Sequence, residues 1–581
     1  MDTKATRAVE KYENKINNKE SKQRMDMNYK RGLFLTNILS KCMERIMLNR
    51  NKSQLDKSMQ PNQNGGVNER SIGDVLFIIN NTVAEFKTEK KDLYILFGDL
   101  EKCFDKLYLK DCIIELIEAG MPLEEAMFVY DMNRNIKAYV DTPHGTTEKF
   151  EIHEAVRQGT IFGTTLCGVS TNRINKMGLP EPLLLYDTVE IGYPIYVDDM
   201  SGMGSPRRIE DVGSKMAGLE RTKKYQVNNN KDKTEFMVMK NNKDEKENVR
   251  IEVRKGEIGS TDEYKCLGDY YDTRSNNEIK ILKKMEKAKF MACEIRRKGA
   301  SSKVGHANMA VRLLLLETIA KPTLLSNTET WCNITIKEEN LITSYHHEIL
   351  CTLFNQPRST PYWGILGETG IWPYKEVITY KKLMFLHHII HSSDDRIAKK
   401  IVLKQQEMFE EQVKKSTWFS EIHQRVNKMN IDVRMQSVEK KSKSSWKREV
   451  KKKIQIQIEK EFQEETKNKT KLRHLLQKPF QMEEYVQSCE AEMVEKIMNV
   501  RLNMVESKCN YKGKYVDTSC FACGEEETTE HLLECNYYKQ FTAEKIEGDV
   551  GRNELCTKEW LMKAARAMDT IQELRRQHIS V

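Results

Sequence analysis

The spacing of apolar residues follows two regimes along this chain. Up to about residue 275, short runs that read as strands interleave with helical stretches; from about 276 to 505 nearly everything carries a helical period. After a polar segment at 1–27, the pattern predicts a helix over 33–49, a polar turn region over 51–70 holding Gly65-Gly66, and a helix over 74–86. Leu93-Tyr94-Ile95-Leu96-Phe97 is a continuous apolar run, the signature of a strand buried on both faces. Then come a helix at roughly 106–119, extended chain at 148–153 and a small-residue stretch opening at Gly159. Tyr193 to Met203 reads as strand, tight turn, strand; a helix near 207–225, a strand at Thr234 to Met239 and a strand pair around Tyr264 to Tyr270 complete an α/β unit. No fixed-period repeat is visible.

The first of the later helices places Leu282, Met285, Ala288, Ala292 and Ile295 on one face and ends at Gly299, a natural C-terminal cap. Lys283, Lys284, Lys287, Arg296 and Arg297 fall largely off that stripe and read as a solvated face. In residues 440–453, Lys440, Lys441, Lys443, Lys447, Arg448, Lys451, Lys452 and Lys453 stand against one acid, Glu449, with Trp446 among them. That density favours a phosphate-contacting surface, with a basic linker as the competing reading.

Composition narrows the class. At 581 residues several domains or lobes are expected. The chain is 31% charged and 39% hydrophobic, and 95 basic against 86 acidic residues leave +9, which permits a polyanionic partner without requiring one. The N-terminus is polar, without a signal-peptide pattern, and no run approaches a membrane span. Fourteen cysteines, scattered except for one tight cluster, suggest a reducing compartment and a metal site, hence nucleus or cytoplasm.

Candidate chemistry starts with carboxylates. Asp99 ends one apolar strand and Asp198-Asp199 occupy the tight turn of another, positions that can converge to hold hard cations. Magnesium takes oxygen ligands and shares them with substrate phosphates. Two such ions roughly 3.5–4 Å apart would activate a 3′-hydroxyl and stabilise a leaving pyrophosphate. An isolated Asp-Asp is ordinary turn chemistry; the order of the surrounding motifs is what raises the signal.

From Tyr29 to about Tyr270 the chain resembles the fingers and palm of reverse transcriptases from non-LTR retrotransposons. Arg31-Gly32-Leu33-Phe34 through Lys41, with Glu44-Arg45, is similar to the first fingers motif; Gln63-Asn64-Gly65-Gly66 with Arg70-Ser71 resembles the second. Asp99-Leu100-Glu101-Lys102-Cys103-Phe104-Asp105 matches the motif of the first metal-binding aspartate, Arg157-Gln158-Gly159 the template- and nucleotide-contacting motif, and Tyr196-Val197-Asp198-Asp199 the catalytic turn. Asn230-Lys231-Asp232-Lys233-Thr234 and Tyr264-Lys265-Cys266-Leu267-Gly268 resemble the last two palm motifs.

The resemblance implies a right-hand α/β polymerase with fingers, palm and helical thumb. Asp99 and Asp198 would be the main ligands of two Mg²⁺ ions, with Asp199 assisting. Phe104 would be the steric gate that rejects a ribose 2′-hydroxyl. Arg70 and Arg31 would hold the triphosphate, Gln158 and Gly159 would line the nucleotide pocket, and Lys233 would protonate the leaving pyrophosphate. Tyr264, Leu267 and Gly268 would form the primer grip. One departure follows Gly159, where Thr160-Ile161-Phe162-Gly163-Thr164-Thr165-Leu166-Cys167 replaces the proline- and serine-containing stretch common in the family.

Cys520-x2-Cys523-x7-His531-x3-Cys535 has the spacing of a closed, structural zinc site, with His531 and Cys535 on adjacent turns of a short helix. Similar clusters follow the thumb in the resembling family, where gripping template RNA or target DNA is the expected use. Cys42, Cys103, Cys167 and Cys266 read as packing residues, the pairs His346-His347 and His387-His388 as structural, and Pro357 to Trp363 with Ile371-Trp372-Pro373 as packing behind the thumb.

The expected organisation is a polar segment (1–27), fingers and palm (28–275), helical thumb and following region (276–420), basic helical region (421–505), zinc-knuckle-like module (506–545) and C-terminal helix (546–581). Barely thirty residues precede the first fingers motif and 46 follow Cys535, so the expectation is a chain without its own DNA-cutting domain. The expected function is an RNA-directed DNA polymerase extending a DNA primer with dNTPs on an RNA template, at a DNA target and away from membranes. The alternative is a retroelement remnant that binds RNA or DNA without polymerising; a third reading is a telomerase-like enzyme with an internal template.

Overall fold

The computed structural model describes residues 34–142, 145–154, 156–176, 181–223, 226–228, 230, 232–240, 250–253, 256–274, 276–299, 309–469, 472, 475, 478–511, 517–542 and 557–579. The 1–27 segment and Arg31 lie outside the described residues. Four strands make the central sheet: β1 (Leu93–Gly98), β2 (Ile195–Tyr196), β3 (Asp199–Gly204) and β4 (Glu235–Met239), ordered β4–β1–β3–β2 and antiparallel throughout. All six residues of β1 are buried. Leu93, Ile95 and Phe97 enter one core and Tyr94 and Leu96 another, so the strand lacks polar alternation because both faces of the sheet are covered.

Helices supply those covers. On one side sit α1 (Ile38–Ser58), α4 (Leu109–Glu118) and α5 (Gly163–Lys176); the four-residue α3 (Cys103–Lys106) precedes α4, and α6 (Pro206–Lys223) packs on β3. On the other side α2 (Ile72–Thr88) buries Val75 to Ile79 without a break. Its start is fixed by a capping box in which the Ser71 amide donates to Asp74 Oδ2 at 2.8 Å. The sheet unit then meets the helical region directly: Phe77 lies edge-on to Trp418 at 4.9 Å and to Phe385 at 5.6 Å.

Two boundaries differ from the pattern reading. The first helix runs to Ser58 instead of ending at 49, because its polar second half has its own partners. Asn51 and Leu55 are buried, and Asn51 donates to the Met47 carbonyl at 3.0 Å. The helix placed at roughly 106–119 starts later, at Leu109, because Leu107 leaves helical geometry with ψ 131.

After the sheet, the hairpin of β5 (Glu263–Cys266) and β6 (Asp269–Asp272) turns at Leu267-Gly268, both at positive φ (+46 and +82). The following helix, α7 (Glu278–Gly299), corrects the solvated-face reading at Lys284: this residue is only 2% exposed and, with Lys280, pairs with the buried Asp269 at 2.8 and 3.3 Å. Further helices include α8 (Ile336–Leu353), α9 (Tyr362–Thr369), α10 (Tyr374–Ile390) and α11 (Lys443–Asn468). The paired histidines pack: His346 stacks on Tyr374 at 3.4 Å, His347 meets the Thr360 carbonyl and His387 the Lys441 carbonyl. From Lys443 the basic run is helical, with Trp446, Val450 and Ile454 inward.

A third, smaller core joins α12 (Ala491–Arg501), the cysteine-rich segment with its helix α13 (Thr529–Glu534), and α14 (Lys558–Ile579). Among the described residues no helix is long and apolar enough to cross a membrane.

Candidate active site and metal centre

The β2–β3 turn is a two-residue loop, Val197-Asp198, between the paired Tyr196 and Asp199. Val197 stands at φ +62, a conformation a β-branched residue adopts at a cost of about 1–3 kcal/mol. Its surroundings enforce it. The Val197 amide lies 3.3 Å from Gln63 Oε1, and Thr171 Oγ1 donates to the Val197 carbonyl at 2.7 Å. Gly65 passes so close that a Cβ there would sit 2.2 Å from the Val197 nitrogen. Asn64 donates to the Ile195 carbonyl at 2.8 Å, so the Gln63-Asn64-Gly65-Gly66 motif buttresses the aspartate turn.

Asp99 follows β1, whose last residues Phe97 and Gly98 face Ser201 and Met200 on β3; that register brings Asp99 beside Asp199. Its position is held by a loop the sequence reading used only in part. The Asp99 amide donates to Thr234 Oγ1 at 3.1 Å, and the Asn228 side chain donates to Asp99 Oδ2 at 2.8 Å. Lys233 Nζ lies 3.7 Å from Asp99 Oδ1.

Asp99, Asp199, Asp232, Lys233, Tyr264, Leu267 and Gly268 line one open cavity of about 500 Å³. Tyr264 stacks flat on Phe97 at 4.2 Å, and its hydroxyl donates to the Lys233 carbonyl. Burial first, then the nearby Cys266, Asp199 and Asp99, push the Tyr264 phenol far above its ordinary range, so it stays neutral. The hairpin that carries the cavity wall is anchored by Asn327, which donates to the Leu267 carbonyl at 3.2 Å.

The other expected site residues take different places. Asp198 is not among the cavity-lining residues; its charge is felt by the buried Cys167 of α5, whereas Asp199 is felt by Cys266. Phe104, on α3, is half-buried against the core shared by α4 and α5. Arg70 turns inward, donating to the carbonyls of Gln60 and Gln63 at 2.7 Å each, and burial lowers its pKa. Its guanidinium therefore braces the loop that supports the aspartate turn.

Gly159 has φ +97, and a Cβ there would lie 3.1 Å from the Phe34 carbonyl oxygen, while the Phe34 amide donates to the Gln158 carbonyl at 2.9 Å. Arg157 is buried and pairs with Glu44 of α1 at 3.1 Å; the other Glu44 oxygen accepts from the Ile161 amide at 2.7 Å. Thr160, within the unusual stretch, accepts from the Gly163 amide at 3.1 Å, so its hydroxyl serves the start of α5. Sequence reasoning missed Asn228, Thr171 and the clamp by Glu44. The first sits two residues before a recognised motif, and the last lies inside one.

The sulfur and ring-nitrogen atoms of Cys520, Cys523, His531 and Cys535 lie within 4.8 Å of one another. Four ligands on a tetrahedral zinc with Zn–S near 2.3 Å would be about 3.8 Å apart; Cys523 Sγ is 3.2 Å from His531 Nε2 and 3.9 Å from Cys535 Sγ. Gly524, at φ +79, closes the first turn by donating to the Cys520 carbonyl at 2.9 Å. His531 Nδ1 is 3.6 Å from Glu525, a carboxylate able to orient the ring for ligation through Nε2. The donor set fits zinc.

Residues 17–292 match the family described as Reverse transcriptase (RNA-dependent DNA polymerase), so the chain carries a reverse transcriptase domain of the nucleotidyltransferase class. No curated protein sequence matches the chain. Among solved structures it is similar to apo telomerase from Candida tropicalis truncated from its C-terminal domain, with 15% identity, TM-score 0.29, and 41% of this chain and 44% of that one covered. It is also similar to telomerase from Candida albicans in complex with a TWJ fragment of telomeric RNA, with 12% identity, TM-score 0.26, and 62% and 56% covered. A third is telomerase from Candida tropicalis with the same kind of RNA fragment: 13% identity, TM-score 0.31, 68% and 60% covered. The chain thus spans between 44% and 60% of these structures.

Proposed function

We propose that this chain is an RNA-directed DNA polymerase that extends the 3′-hydroxyl of a DNA primer with dNTPs on an RNA template, and that it derives from a non-LTR retroelement. The observation that carries the reading is the shared cavity: Asp99, Asp199 and Lys233 face the Tyr264–Gly268 hairpin inside the reverse transcriptase domain. Asp99 and Asp198, assisted by Asp199, would hold two Mg²⁺ ions, which when bound lower the pKa of the attacking hydroxyl and offset charge on the leaving pyrophosphate. The protein's own contributions are positional. Asn228 holds the Asp99 carboxylate and Thr234 its backbone, the strained Val197 turn fixes Asp198, and the hairpin seats the primer end. Lys233 lines the same cavity and would act as the general acid toward the leaving group. Phe104 would exclude ribonucleotides, and Gln158 and Gly159 would face the incoming base. Arg70 would act through the Gln60–Gln63 loop. The module at 506–545 would bind one Zn²⁺ through Cys520, Cys523, His531 and Cys535.

Primer extension tests the reading directly. With an RNA template, DNA primer, dNTPs and Mg²⁺, the full chain should produce a DNA ladder, and Asp198→Asn should abolish it. Extension that survives this change would remove the mechanism. RNA binding without any extension in Mg²⁺ or Mn²⁺ would establish the non-polymerising alternative.

A further inference from the structure

On α11 the stripe Lys443, Lys447, Lys451, Gln455 runs along one exposed-to-half-buried line, about 6 Å per step. Arg448 and Lys452 flank it, both exposed. Glu449, the one acid in this stretch, is taken by Lys441 at 2.7 Å and Lys453 at 3.3 Å. Lys443, Lys447, Arg448, Lys451 and Lys452 form no ion pair among the described residues. The helix shows these five cations to solvent because Trp446, Val450, Ile454 and Ile458 occupy the inward face.

The stripe leads into a groove of about 690 Å³ lined by Leu314, Ile371, Trp372, Val377, Tyr380 and Lys451. Lys451 Nζ lies 6.0 Å from the centre of the Tyr380 ring, and Trp372 donates to Gln455 at 2.9 Å. The two rings meet edge-on, 6.2 Å apart. Both are half-buried, and Leu314 on the rim is 61% exposed. The acid in the groove, Glu317, is neutralised by Lys321 at 2.6 Å.

We infer that α11 and this groove form a second nucleic-acid site, outside the polymerase cavity, that takes a single strand. Phosphates lie along Lys443, Lys447 and Lys451, whose spacing is close to that of successive phosphates in an extended strand. A base enters beside Trp372 and Tyr380, where stacking is insensitive to sequence. Charge complementarity selects this occupant over an apolar protein segment: five unpaired cations on one ridge repel one another until a polyanion covers them. The inference shares with the proposed function only the premise that the chain handles nucleic acid, and it does not require catalysis.

The test uses the full chain and a labelled oligo-dT or oligo-U strand, with excess unlabelled primer–template duplex filling the polymerase cleft. Binding is followed by anisotropy across salt concentrations. Lys443→Gln/Lys447→Gln/Lys451→Gln should reduce the slope of log affinity against log salt by roughly 2, and affinity by roughly 100-fold at 0.1 M salt, taking about 0.7 per phosphate contact. Tyr380→Leu, checked for folding by circular dichroism, should weaken binding without changing the slope. Lys460→Glu/Lys467→Glu, farther along the same helix, should leave affinity within a few-fold. Extension of a short primer–template should persist in the triple variant, so loss of polymerase activity and loss of this site read out separately. Unchanged affinity and slope in the triple variant would overturn the site and leave the groove to a protein segment. An equal loss in the Lys460/Lys467 control would overturn it too, because only total charge would then matter.

Discussion

Asp269 is the residue whose loss should separate primer handling from chemistry. It follows the Leu267-Gly268 turn directly, is fully buried, and accepts from Trp331 Nε1 at 3.0 Å while pairing with Lys284 and Lys280. Burial alone would raise its pKa, but Lys280 and Lys284 outweigh that and hold it below the usual carboxylate range. In Asp269→Asn two buried ammonium groups face a neutral amide. Breaking a buried pair from one side costs about 3–5 kcal/mol. Lys280 keeps Asn80 as an acceptor at 2.6 Å and Lys284 keeps the Ser326 carbonyl at 2.5 Å, which places the cost at the lower end.

If about 3 kcal/mol falls on docking of the hairpin, its open population rises by roughly 100-fold. A chain of 581 residues will not unfold in one step, so local hydrogen exchange is the appropriate measurement. Amides of residues 263–272 should exchange about 100-fold faster. In primer extension, the KM for primer should rise while the KM for dNTP changes little. The apolar replacement Asp269→Leu/Lys280→Met/Lys284→Met should recover most of the protection, since a packed apolar cluster can replace a buried ion cluster. Unchanged exchange and unchanged primer KM in Asp269→Asn would refute the coupling between this cluster and the hairpin.

Three further outcomes are expected. Phe104→Val should raise the ratio of ribonucleotide to deoxynucleotide incorporation by roughly 10- to 100-fold in competitive extension, as the ring's bulk is removed. Cys535→Ser should reduce bound zinc from one equivalent to none by metal analysis and release amide protection over residues 517–542. Glu368 is buried and accepts from Arg501 at 2.9 Å and Tyr485 at 2.7 Å; burial opposes its ionisation, but Arg501 and Lys478 hold its pKa at about 2. Its folded pKa is depressed, so its stabilisation is complete above the unfolded value near 4.5 and is lost as pH falls from there toward 2. Acid titration followed by tryptophan fluorescence should show that transition, and Glu368→Gln should remove it while lowering stability at pH 7.

Local features were legible where chemistry and spacing coincide in sequence. The run Leu93 to Phe97 carries the signature of a buried strand, and two cores cover it. The cysteine–histidine spacing is local, and its donor atoms come together as expected. Lys284 escapes a pattern reading because helical periodicity reports apolar burial and is blind to a cation that enters the core to meet an acid. Asn51 and Leu55 hide in a polar stretch for a related reason: Asn51 also bonds Glu125, outside its own helix, and Leu55 enters the core shared with α4 and α5. The basic run at 440–453 looked uniform, yet the helix divides it between a buried Trp446 face and an exposed cationic one.

What sequence could not show is how distant segments are held in register, and the buried ion pairs answer that together. Glu44 joins α1 to Arg157, two residues before the turn at Gly159. Asp74, at the start of α2, meets Arg396, 322 residues away, and Asp269 joins the hairpin to α7. Glu527 of the cysteine-rich module meets Arg575 of α14, both almost fully buried. Each pair sits at a junction between elements that hydrophobic packing alone could join in neighbouring registers. A buried charge penalises those slips far more than a misplaced methyl group does, because a shifted partner leaves it unpaired. The proposed polymerase needs Asp99, Asp199, Lys233 and the hairpin to share one cavity, though the first of these segments, β1, lies more than 160 residues before the hairpin. Substituting the pins should therefore lower activity before it unfolds the chain, with Asp269 affecting primer and Glu44 affecting nucleotide.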